Sequence, residues 1–154
     1  VLCSLNMHGV AHAATGNVVF QGSITTNNSC AINVRQNGRL GISANYRTLS
    51  SKLAGGLVGI ADVTAIGNFQ ISATTIPSFT VAPVGGNTNT TFQSLFSGTS
   101  VLLGANFAER PGNNPVTLPF ILSITRLNIH FVATRTGSSF PTGPYEGTVV
   151  VRCE

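Results

Sequence analysis

Apolar and polar residues alternate in short runs along most of this chain, and turn chemistry separates the runs. In the stretch GNVVFQGSITTNNSC, Val18, Phe20 and Ile24 point one way along an extended backbone, with Gly22 in the same row. Gln21, Ser23 and Thr25 point the other way. That alternation predicts a strand over 17–25 with one face made to enter a core. A second run, 30–35, puts Cys30, Ile32 and Val34 on one face, and a third, 39–44, does so with Leu40 and Ile42. Asn37-Gly38 between them is the strongest short hairpin signal, so the two are expected to pair. Later strands are expected at 68–73 (Phe69 and Ile71 inward), 78–82, 91–96, 116–125, 127–134 (Leu127, Ile129 and Phe131 on one face) and 145–153. AERPGNNP is expected to be a surface loop. No stretch holds a 3.6-residue period with caps. Eight to nine short strands at this spacing predict an all-β fold, an immunoglobulin-like β-sandwich.

Composition agrees. The chain has 154 residues, enough for one domain with a real core, and only 8% of them are charged. The net charge of +4 comes from scarce acids, because Asp62, Glu109, Glu146 and Glu154 are the whole set. The eight bases are dispersed, with no two adjacent. A nucleic-acid groove needs a dense basic stripe interleaved with aromatics, so nucleic acid is not an expected partner.

The opening residues, VLCSLNMHGVAHA, are weakly apolar and close on Ala11-His12-Ala13, the small-x-small pattern of a signal-peptidase site. Residues 1–13 are therefore expected to be the end of a signal peptide and 14–154 a single exported domain; an ordinary ragged N-terminus is the alternative. No later stretch approaches the roughly 18 apolar residues that span a bilayer. Removing the leader removes Cys3 and leaves Cys30 and Cys153, and an even pair in an exported chain predicts one disulfide. A lipid anchor on Cys3 is the competing reading, weakened by the absence of a small residue before it. Cys30 and Cys153 can meet if first and last strands lie parallel, or if the second strand begins beside the end of the last.

The two ends of the chain carry a resemblance. GNVVFQGSITTNNSC resembles the opening of chaperone–usher pilins, Gly-x-Val-x-Phe-x-Gly followed by a short β run and a Cys. FPTGPYEGTVVVRCE resembles the last strand of pilin and spore-coat-U-like proteins, which run Gly-x-Tyr into alternating Thr and Val. The resemblance implies an incomplete immunoglobulin-like fold, export to the periplasm and assembly into surface fibres. In it, an N-terminal segment fills the groove left by a neighbour's missing strand, which is strand addition to an open edge. It would make Val18, Phe20, Gly22 and Ile24 the complementing row and place Val149 and Val151 on the last strand. It also implies like subunits, a periplasmic chaperone and an usher as partners, and a host or surface ligand.

Two departures stand against it. A cut after Ala13 leaves only Ala14 and Thr15 before Gly16, whereas a donating segment needs about ten residues at about 3.3 Å each, unless 16–24 is itself the donor. The family pairs its first Cys within the domain and carries an aromatic near the C-terminus, a place taken here by Cys153. Both favour a domain that completes itself.

Catalytic chemistry is thinly supplied. His130 is the sole histidine after processing and reads as an outward strand residue opposite the Leu127/Ile129/Phe131 row. A Ser–His–Asp set would have to use Asp62 and His130 without a Gly-x-Ser-x-Gly elbow. Paired carboxylates would have to come from Asp62, Glu109 and Glu146. AGGLVGIAD has glycines but no following Lys or helix, and neither a Cys-x-x-Cys nor a His cluster points to metal. No catalytic residue, metal or cofactor is expected. Tyr46, Arg47, Phe107, Arg110 and Tyr145 fall near strand ends, where binding sandwiches place aromatics and donors, and are candidate ligand contacts. The expectation is an exported, non-enzymatic structural or adhesion protein of the periplasm, cell surface or an extracellular fibre. The alternative is a self-complete monomeric periplasmic or secreted binding module.

Overall fold

The computed structural model describes residues 28–154, so residues 1–13, expected to be the end of a signal peptide, and the row Val18, Phe20, Gly22 and Ile24 lie outside the described residues. Within them the chain forms ten strands and no helix: β1 Ser29–Gln36, β2 Gly41–Ile42, β3 Thr48–Ser50, β4 Gly59–Ile66, β5 Gln70–Thr75, β6 Thr90–Leu102, β7 Phe107–Pro111, β8 Val116–Thr117, β9 Ser123–Arg135 and β10 Val149–Cys153. The all-β expectation holds among the described residues.

The longest strands organise the larger, seven-stranded sheet. β9 alternates cleanly, Ser123, Thr125, Leu127, Phe131 and Ala133 turning inward and being buried. One of its edges pairs with β6 from Thr90↔Arg135 to Leu102↔Ile124. Its other edge pairs first with β4, from Ala65↔Ser123 to Gly59↔Ile129, and then with β3, from Ser50↔Val132 to Thr48↔Thr134. β1 flanks β4, β2 flanks β3 and β7 flanks β6. A three-stranded sheet, β10-β5-β8, faces it, and the named strand pairs are all antiparallel.

Several local expectations are corrected. Asn37-Gly38 makes no hairpin: β1 pairs with β4, and β2 pairs with β3. Past a register irregularity between Val34 and Gln36, the chain continues along the same partner, with Arg39 and Leu57 exchanging both backbone hydrogen bonds at 2.9 Å. A long ladder that shares in the core outweighs a two-residue local turn. The run at 78–82 is reduced to a single bridge, Val81↔Glu146. Half of the expected loop AERPGNNP is β7, ending at Pro111, where an edge strand tolerates a missing N–H. The break expected near residue 126 is absent, because β9 runs through it.

The core has two parts. Val63, Ala65, Phe96 and Leu127 of the larger sheet meet Ile71 and Ala73 of the smaller one, with Leu118 beside them. The second part is aromatic: Phe79 sits 4.9 Å from the rings of Phe92 and Tyr145 and 5.9 Å from those of Phe131 and Phe140. The two sheets are fastened along one side through Gly112, whose N–H donates to the Ser94 carbonyl (2.9 Å) and whose carbonyl accepts from the Ala73 N–H (3.0 Å). A Cβ at Gly112 would lie 1.8 Å from the Ala73 carbonyl oxygen, so only glycine fits this crossing. On the other side the link is covalent: Cys30 of β1 and Cys153 of β10 are bonded, with Cα atoms 6.4 Å apart.

Candidate functional site

The side held by the disulfide is where the two sheets part. Among the described residues β1 pairs only with β4 and β10 only with β5, so each turns an unpaired edge toward the other. Between them lies a groove of about 660 Å³. Val34 and Gln36 form one wall, Val149 and Val151 the other, and Ile129 and Phe131 belong to its floor.

β1 explains why this groove is unusual. Its alternation is as the sequence predicts, yet the strand is almost wholly exposed. Ile32 keeps 39% and Val34 63% of its surface open to solvent. An apolar row on an edge strand with a free backbone edge is ordinarily blunted by charge, proline or cover. Among the described residues nothing of the kind stands over Val34.

Beyond Gln36 the groove is lined by Arg39, Leu40, Tyr145 and Gly147. A Cβ at Gly147 would meet the Phe131 ring at 2.3 Å, so glycine lets the chain leading into β10 lie flat on that ring. Tyr145 packs by an edge on Phe79 and donates its hydroxyl to the Pro141 carbonyl at 2.7 Å. Burial pushes its phenol pKa up, opposed by nearby Arg135.

The other candidate contacts do not converge with Tyr145. Tyr46 occupies a left-handed turn position (φ 57°), with its side chain exposed and its carbonyl accepting from the Phe140 N–H. The backbone N–H of Arg47 is held by the side chains of Ser43 and Asn45. Phe107 lies on β7, 5.2 Å from Phe96, with the Arg110 guanidinium 5.3 Å from its own ring. Only Tyr145 of the five lines the groove. Sequence position near strand ends could not say which ends share a surface.

Arg39 and Glu146 line the groove, whereas Asp62, Glu109 and His130 are engaged elsewhere. Asp62 on β4 faces Arg126 on β9 and accepts a forked pair of bonds, 2.8 Å from Nε and 3.0 Å from Nη2, with Arg35 at 3.8 Å. The Arg126 hydrogen bond, aided by the two positive charges and opposed by burial, holds the Asp62 carboxyl below its ordinary range. Asp62 is therefore committed to an arginine, and it stands four positions along the ladder from His130.

His130 is half-buried, not freely outward, and it has partners that sequence reasoning missed. The Ser51 hydroxyl lies 2.9 Å from its Nδ1 and also accepts from the Phe131 N–H at 3.2 Å. Glu109 on β7 is 3.8 Å from Nε2 and pairs with Lys52. Burial, then the Lys52 charge, lower the His130 pKa, against a smaller opposing pull from Glu109. Ser51 is buried, with its oxygen held between a backbone donor and the imidazole, an arrangement that ties the end of β3 to β9. Seventy-nine residues separate the two, and no local pattern marks either.

Comparison with protein-family models, curated proteins and solved structures finds no match for this chain. Among the described residues no group of three or more His, Cys, Asp or Glu could hold a metal ion, and no helix is long and apolar enough to cross a membrane. Among the described residues, the groove between β1 and β10 thus brings together exposed apolar surface, unpaired backbone edges and shape.

Proposed function

We propose that this chain is an exported, non-enzymatic subunit of a surface fibre or adhesive assembly, an immunoglobulin-like β-sandwich completed by a strand from another chain. The observation that carries this reading is the pair of edges, β1 and β10, left unpaired among the described residues and facing each other across a groove lined in part by apolar side chains. A strand laid there would gain ladder hydrogen bonds on both sides and cover Val34 and Ile129. The chain's own sequence supplies a strand of the right kind in Val18, Phe20, Gly22 and Ile24. The exposed row on β1 favours completion by another chain over a self-complete domain. Like subunits are the first partners, with a periplasmic chaperone and usher to cover the groove before assembly, and a surface ligand for the finished structure.

The test is expression in an oxidising periplasm, followed by electrophoresis without heating and light scattering behind a sizing column. Strand-linked assembly gives ladders that collapse on boiling and are abolished by Ile24→Asp, which puts a charge into a core position. A soluble monomer that melts cooperatively, unaffected in oligomeric state by Ile24→Asp, would instead make the chain a self-complete binding module.

A further inference from the structure

Seven of the fourteen large apolar side chains exposed among the described residues gather at one end of the larger sheet. Val101 and Leu102 close β6 and Leu103 follows them; Phe120, Ile121 and Leu122 lead into β9; Ile66 closes β4. The register makes these neighbours, because Leu102 and Leu103 both bridge to Ile124, and Ala65 lies opposite Ser123. Phe120 keeps 65% of its surface open and Leu103 62%. Leu103 holds that exposure at φ 49°, a left-handed conformation that glycine or asparagine takes with less strain. Scattered single apolar residues on a surface need no explanation. Two adjoining runs of three form a patch, and patches mark contact surfaces.

Charge narrows the choice of what covers it. No charged residue occurs in 63–69, 99–108 or 116–125, and β9 reaches its first charge only at Arg126, which is committed to Asp62. A charged partner or an anionic lipid surface finds nothing to hold here. The segment 14–28 is likewise free of charge. Its row Val18, Phe20 and Ile24 offers one apolar face, while Gln21, Ser23 and Thr25 are left for water.

The point of entry decides between this segment and a second copy. β1 opens at Ser29, opposite Ile66 of the patch, and the Asn28 side chain packs so closely on Gly67 that a Cβ there would not fit. The chain is thus pinned at the margin of the patch. The five steps from Ile24 to Ser29 span up to about 18 Å, whereas β6 lies three strand spacings from β1, about 14 Å. Ile24 reaches the far side of the patch. A short tether holds its segment at an effective concentration in the millimolar range, which a free second copy has to match at its actual concentration.

We propose that this patch is the docking site for the chain's own segment 17–25 while the chain is unassembled, with Val18, Phe20 and Ile24 turned onto it. The inference goes beyond strand exchange, which takes the same row into a neighbour's groove on assembly. Until then the patch shields the row and the row shields the patch.

The experiment uses the full chain with a photo-crosslinking phenylalanine analogue replacing Phe20, as a mixture of isotopically heavy and light protein. It is irradiated over a dilution series and mapped by mass spectrometry. The expected crosslinks join position 20 to Leu102, Leu103 and residues 120–122, only in heavy–heavy and light–light pairs, and they dominate as the chain is diluted. Leu103→Ser with Phe120→Ser, both exposed and outside the packed core, should cut their yield several-fold without moving the melting temperature. Heavy–light crosslinks to the patch would make it an interface between copies and overturn the proposal. Crosslinks to the groove at Val34 or Val151 at every dilution, none to protein at all, or an undiminished yield from the double variant would overturn it too. Strand exchange is read separately, from the ladders and their loss on Ile24→Asp, so either reading can fail alone.

Discussion

The hydroxyl of Ser51 bonds the imidazole Nδ1 of His130 at 2.9 Å while accepting the backbone N–H of Phe131 at 3.2 Å. Ser51 has one proton to donate to an unprotonated Nδ1 and a second lone pair to accept from a protonated one, so the tautomer of His130 sets the direction of this bond. A charged imidazolium would be partly buried and would sit near the Lys52 charge, and both oppose protonation.

The sign of the pH effect follows. Folding lowers the His130 pKa, first through burial and then through Lys52. The unfolded chain therefore takes up the proton at a higher pH than the folded one. The contribution is fully present above the ordinary histidine value of about 6.5 and is lost as pH falls below it through the folded value. Urea midpoints measured from pH 8 to pH 5 should decline across that window. His130→Asn should flatten the decline; an unchanged slope would show that the ring is not its source.

Asp62 acts in a lower window. Its carboxyl is held down mainly by the hydrogen bond from Arg126, so its stabilisation is present above the unfolded carboxylate value of about 4 and is lost as pH falls through the lower folded value. Asp62→Asn should lower the melting temperature at pH 7 by a modest amount, because Arg126 is well exposed, and the deficit should vanish near pH 2. A deficit that persisted at pH 2 would mean lost packing and not lost charge.

The disulfide joins residues 123 apart in sequence across the seam between the two sheets. On the chain-entropy account, removing a bridge over a loop this long costs about 4–5 kcal/mol. Denaturant unfolding of the oxidised chain, compared with the Cys30→Ser, Cys153→Ser variant under one buffer, should show a drop of that order. A change below about 1 kcal/mol would mean that the seam is held by other contacts.

Phe79 is the hub of the aromatic half of the core, touching four other rings although it belongs to none of the ten strands. Phe79→Ala should cost about 3–5 kcal/mol, the range for an aromatic lost from a packed core. Phe79→Leu should recover much of that. A cost for Phe79→Ala no larger than a surface substitution would show that the long connection between β5 and β6 does not pack as described.

Alternation along the chain determined which way side chains face. Leu127 and Phe131 are buried, and Ile71 and Ala73 are inward, because successive side chains on a strand point to opposite faces whatever the strand pairs with. The count of cysteines likewise determined the bridge between Cys30 and Cys153. Of the two geometries open to it, the structure adopts the one in which β1 begins where β10 ends. Partnership was decided only in three dimensions. Asn37-Gly38 is a local hairpin signal, but β1 gains more by pairing with β4 on the edge of a sheet that shares the core. Ile42 alternates as a core residue and is left 47% exposed, because β2 holds only two residues at a sheet margin. The meeting of Ser51 with His130, and the exposure of Ile32 and Val34 along a groove, are properties of how two sheets meet. Pattern is local, while pairing and burial are settled by competition among distant segments for one core, and the sequence alone does not rank those competitors.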